Sequence, residues 1–127
     1  MIKTFHFILP KVADFSHKVK AFLPELADSQ VQYYEDTGIQ LVEEYIDYHS
    51  VIFYRVQAQV NKTFQMSVKT TKSDYHLLYN KQSPSPLVLT HTTNSSQAQL
   101  PSGCARYVYI SKGKLQTDLV PGDYLIY

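Results

Sequence analysis

A single cysteine, Cys104, leaves no intramolecular disulfide and no thiolate-built metal centre to consider. The longest apolar-leaning stretches, Phe5–Pro10 and Val51–Tyr54, fall far short of the ~20 residues a bilayer-spanning helix needs. Met1–Pro10 also lacks the apolar region and small-residue cleavage site of an export signal. Together these absences predict a cytoplasmic protein with no membrane segment. Four dispersed glycines cannot build a loop that cradles phosphate. Two arginines, within a balance of 12 basic and 11 acidic side chains, give a net charge of +1. Such a near-neutral balance argues against this chain holding a nucleic-acid backbone by itself.

What is present is 127 residues, enough for one domain with one core. Aromatic side chains are plentiful, with 11 Tyr and 6 Phe. Charge is unevenly spread: residues 25–47 hold seven acids and no Lys or Arg, whereas residues 48–127 hold eight bases and three acids. An acidic block of this kind reads as a solvated face, or as a surface for a basic partner.

Ile2–Leu9 is β-branched and aromatic and reads as a first strand closed by Pro10. From Lys11 the spacing changes: Val12, Phe15, Val19, Phe22, Leu23 and Leu26 predict one apolar helix face, entered at Pro10 and stopped or kinked at Pro24. After Ala27 the period falls to two. Val31–Glu35, an Asp36-Thr37-Gly38 turn and Ile39–Tyr48 predict a hairpin. In Val51–Val60, residues Ile52, Tyr54, Val56, Ala58 and Val60 share one face, and Phe64, Met66 and Val68 repeat the pattern. Further strands are predicted at Asp74–Tyr79, Pro86–His91, Arg106–Ile110, Lys114–Leu119 and Asp123–Tyr127, with a polar loop over Thr92–Gly103. The expected fold is therefore mainly β with one N-terminal helix, an antiparallel barrel or sandwich occupying residues 1–127 as a single domain.

The sequence offers little reactive chemistry. His6, His17, His49, His76 and His91 are scattered, with no His-x-His and no His-x-x-x-His pair, so no metal is expected. No Gly-x-Ser-x-Gly turn exists, and Cys104 reads as a small half-buried thiol. Glu43 and Glu44 are adjacent, so on a strand they face opposite ways and cannot act on one bond. No cofactor is expected and catalysis is not supported. The tyrosines remain. Most fall on predicted strands, where they can pack, line a small-molecule pocket or stack on single-stranded nucleic acid, the last disfavoured by the scarcity of arginine. Arg55, Tyr75, His76, Tyr79, Tyr107 and Tyr109 are the candidate ligand-binding residues, with Arg55 or His76 as the polar handle.

Two stretches carry a family resemblance. Ser73-Asp74-Tyr75-His76-Leu77-Leu78-Tyr79-Asn80-Lys81 resembles a strand in the N-terminal sensor domains of AraC-type transcription regulators of Bacteroidetes-like bacteria. Arg106-Tyr107-Val108-Tyr109-Ile110-Ser111-Lys112-Gly113 with Leu119–Tyr127 resembles their paired terminal strands, although Ser111 stands where Pro is common and Asn80–Ser83 replaces a Gly turn. The resemblance implies a cupin-like β-barrel that binds a small effector or forms a homodimer. It implies DNA contact only through a helix-turn-helix region absent from this chain, which would make the chain the N-terminal piece of a longer protein. Two alternatives stand beside it: a metal-free cupin-like isomerase using His76 or a tyrosine as acid or base, and a pure protein-interaction module.

Overall fold

The computed structural model describes residues 3–16, 28–48 and 51–127. Among these residues twelve strands run in chain order: β1 Phe5–Phe7, β2 Lys11–Val12, β3 Gln30–Asp36, β4 Ile39–Tyr48, β5 Val51–Val60, β6 Phe64–Thr70, β7 Asp74–Gln82, β8 Leu87–His91, β9 Gln97–Leu100, β10 Cys104–Ile110, β11 Gly113–Leu119 and β12 Gly122–Ile126. They form a five-stranded sheet in the order β1-β6-β11-β8-β9 and a seven-stranded sheet in the order β10-β7-β12-β5-β4-β3-β2, with antiparallel pairing throughout.

This architecture corrects the expected fold class in two respects. The described residues contain no helix: Lys11 and Val12 pair with Tyr34 and Tyr33 at the edge of β3, and Phe15 packs edge-on against the Tyr33 ring at 5.1 Å. The open edge of β3 supplies backbone partners, and that outcompetes a helical rhythm of which only Val12 and Phe15 fall here. The remaining positions of the expected helix, Val19, Phe22, Leu23 and Leu26, lie outside the described residues. Nor do the described residues close a barrel; among them each sheet is open and has two edge strands, β1 and β9 in one, β10 and β2 in the other. A third departure is β9, which lies inside the expected polar loop and pairs with β8 through Leu87↔Leu100 to Thr90↔Gln97.

The two-residue rhythm explains the core. Tyr34, Ile39, Leu41, Ala58, Val60 and Tyr124 face inward from the larger sheet, and Met66, Val68, Leu87, Leu100, Leu115 and Leu119 from the smaller. Gln65 and Lys69, between the buried positions of β6, stay in water. Each fully buried aliphatic side chain such as Leu41 contributes about 2 kcal/mol. The β3–β4 hairpin closes at Gly38, whose φ of +88° requires glycine. Strand β4 is buried on both faces from Ile39 to Glu44, which overturns the solvated reading of the acidic block for Glu43 and Glu44.

Candidate functional site

Strands β7 and β10 pair at one edge of the larger sheet, in the register Tyr75↔Tyr109, Leu77↔Tyr107 and Tyr79↔Ala105. Alternation therefore sends Tyr75, Leu77 and Tyr79 to the same face as Tyr107 and Tyr109. That face is the outer one. Leu77 is 69% exposed and Tyr107 71%, and Tyr75, Tyr79 and Tyr109 are exposed as well. The inward positions of β7 are His76, Leu78 and Asn80, so this strand turns its more apolar face to water. Ring packing orders the patch: Tyr75 stacks on Tyr107 at 5.5 Å with planes 7° apart, and meets Tyr109 edge-on at 5.1 Å. Tyr79 stacks on Tyr127 at 6.1 Å. Four of the six residues expected to bind a ligand thus come together on one surface.

The other two do not join them. His76 points between the sheets, half-buried, with its ring 4.5 Å from that of Phe5. Its Nε2 is buried without a hydrogen-bond partner, and burial lowers its pKa below 6.5 against the opposing pull of Asp74. Arg55 lies on the outer face of the larger sheet yet is 3% exposed, and its Nη1 donates to Glu44 Oε1 at 2.9 Å. The Glu44 carboxylate, fully buried opposite Arg55 in the β4–β5 ladder, engages the guanidinium as an internal pair rather than a free polar handle.

Sequence reading passed over two further places. A cavity of about 470 Å3 opens where β8 and β9 face β10, lined by Leu89, His91, Ala98, Val108, Ile110 and Leu115 among others. Its volume falls in the range of small-molecule sites. His91 forms one wall: its Nε2 lies 3.1 Å from the Ser111 carbonyl, to which it donates, and its Nδ1 accepts from the Thr93 N–H at 3.3 Å. Both nitrogens are thereby committed and the ring is held rigid. The second place surrounds Glu43, which has no exposure and sits between Lys3 and the Tyr34 hydroxyl. The signal for burial was available, since the strict alternation of β4 puts Glu43 in line with Ile39 and Leu41.

As expected for adjacent strand positions, Glu43 and Glu44 serve opposite faces. Cys104 is exposed rather than half-buried. Among the described residues no three His, Cys, Asp or Glu side chains are grouped so as to hold a metal ion. No helix among them is long and apolar enough to cross a membrane.

No family model and no curated protein matches the sequence. Among solved structures, the chain is similar to a crystal structure of Fe(II)-HppE with the alternative substrate (S)-1-HPP, at a TM-score of 0.39 and 8% identity. The match covers 84% of this chain and spans 58% of that one. A likeness of that strength assigns neither a fold family nor an activity.

Proposed function

We propose that this chain is a non-catalytic, cytoplasmic sensing domain that works as a homodimer, of the cupin-like kind found at the N-terminus of AraC-type bacterial regulators. The observation that carries the reading is the outward apolar face of β7 and β10. Five large side chains, each well exposed, offer about 600 Å2 of largely apolar surface, at the upper limit of what a lone monomer displays. That is most of the roughly 800 Å2 per partner in a specific complex. The five side chains carry no charge, with Lys81 bordering them on the same face of β7, and the patch can face a copy of itself across a two-fold axis. Strand β10 is also an edge, and its unpaired backbone groups favour strand-to-strand docking.

The effector, in this reading, is a small molecule seated in the cavity beside His91. Val108, Tyr109 and Ile110 line that cavity from β10, and Tyr109 also belongs, with Tyr107, to the dimer face. Occupancy that shifts β10 therefore shifts the tyrosines, and ligand and dimer become linked equilibria. Sedimentation equilibrium over a range of concentrations tests the reading. It predicts a species at twice the chain mass of 14.6 kDa, and a monomer at every concentration would overturn it.

A further inference from the structure

Between the two sheets, away from the His91 cavity, Glu43 forms the floor of a box whose walls are tyrosines. The Lys3 ammonium occupies it, 2.6 Å from Glu43 Oε1 and 5.1 Å from the centre of the Tyr45 ring. The Tyr34 hydroxyl donates to the same carboxylate oxygen at 3.2 Å. Tyr54 stands beside Tyr45, ring centres 6.2 Å apart. A carboxylate below and an aromatic face beside it, here that of Tyr45, suit a desolvated ammonium, since the ring quadrupole adds to the charge-assisted hydrogen bond.

The box is not saturated by Lys3. Glu43 Oε2 is buried without a hydrogen-bond partner, and the buried Tyr54 hydroxyl, which faces the backbone N–H groups of Thr4 and Phe5, donates to no acceptor. An ammonium has three donors, and one is used on Oε1. Burial raises the Glu43 pKa, which the Lys3 and Tyr34 hydrogen bonds only partly offset, so the carboxylate gains from any cation that satisfies it more fully. Burial also raises the Tyr54 pKa, so its phenol stays protonated and able to donate.

We propose that Glu43, Tyr34, Tyr45 and Tyr54 form a binding site for a primary ammonium group, which Lys3 fills as a tethered, displaceable occupant. Lys3 leads into β1, an edge strand of the smaller sheet, and Glu43 belongs to the larger, so the occupant ties one sheet to the other. An external primary amine that takes its place releases that tie. A tether gives Lys3 an effective concentration of millimolar order, so free amine must exceed it to compete in the wild type.

The test is rescue of Lys3→Ala by n-butylammonium, read as the thermal midpoint at constant ionic strength, with tetramethylammonium as the control that cannot donate a hydrogen bond. The expected result is a saturable rise in Lys3→Ala, half-complete at an amine concentration at least tenfold below that needed by the wild type. Lys3→Ala/Glu43→Gln is expected to show no such rise. Equal responses in wild type, Lys3→Ala and the double variant, or no selectivity for n-butylammonium, would overturn the proposal. If Lys3→Ala does not fold unaided, folding in n-butylammonium alone supports the site, and failure to fold in either salt refutes it.

Discussion

The pair formed by Glu44 and Arg55 offers a prediction whose size follows from burial. Their contact is 2.9 Å, and the side chains are 0% and 3% exposed. Arg55→Met keeps most of the stem volume and removes the charge, leaving the Glu44 carboxylate inside the protein without its guanidinium. Breaking a buried pair on one side costs about 3–5 kcal/mol, whereas an exposed pair is worth at most about 1 kcal/mol. For a domain of this length each kcal/mol lowers the melting temperature by about 4 °C, so the variant should melt about 12–20 °C below the wild type. The companion Glu44→Leu/Arg55→Met removes both charges and should recover most of that loss, because an apolar pair needs no compensation. With Glu44→Leu added as the second single variant, urea unfolding of the four proteins gives the coupling directly. A loss below about 1 kcal/mol in Arg55→Met would show that water reaches the pair, and the assignment of Arg55 to the interior would be wrong.

His76 supplies a second prediction. Its folded pKa is depressed, so the neutral ring stabilises the protein above pH 6.5, and that contribution is lost as pH falls through the folded value. His76→Leu should therefore flatten the acid side of the stability curve, and an NMR titration should place the wild-type His76 midpoint below 6.5. Gly113 has a φ of +146°, and a Cβ there would come 2.8 Å from His91 Cε1. Gly113→Ala should thus cost about 1–3 kcal/mol in urea unfolding and displace the His91 wall of the cavity. Cys104, being exposed, should react fully with a maleimide in the folded protein, and protection until unfolding would contradict its placement.

The alternation after residue 30 was legible because β-branched and aromatic residues recur every second position, and the hairpin at Gly38 announced its own turn. The Arg55–Glu44 pairing was within reach too: strands that end at Tyr48 and resume at Val51 fix the register that sets 44 opposite 55. Other features depend on partners far along the chain. Lys11–Val12 is a strand only because β3 offers an edge, and Gln97–Leu100 only because β8 does. The ionic partner of Glu43, Lys3, lies 40 residues away in the chain. Period two sets Tyr75 and Tyr79 on one face of β7 and Tyr107 and Tyr109 on one face of β10, but it does not say which face is outward, since His76, Leu78 and Asn80 make the inward side the less apolar one. The placement of that apolar face in water is the least expected feature of the fold and the one most in need of a partner.

Charge insertion tests this most directly. Sedimentation velocity should find the wild type dimeric and Leu77→Asp monomeric, since Leu77 is 69% exposed and its loss is felt twice in a symmetric interface. Gln65→Asp, on the exposed side of β6, should leave the dimer intact. A wild type that sediments as a monomer, or a Leu77→Asp protein that dimerises as well as Gln65→Asp, would contradict the account.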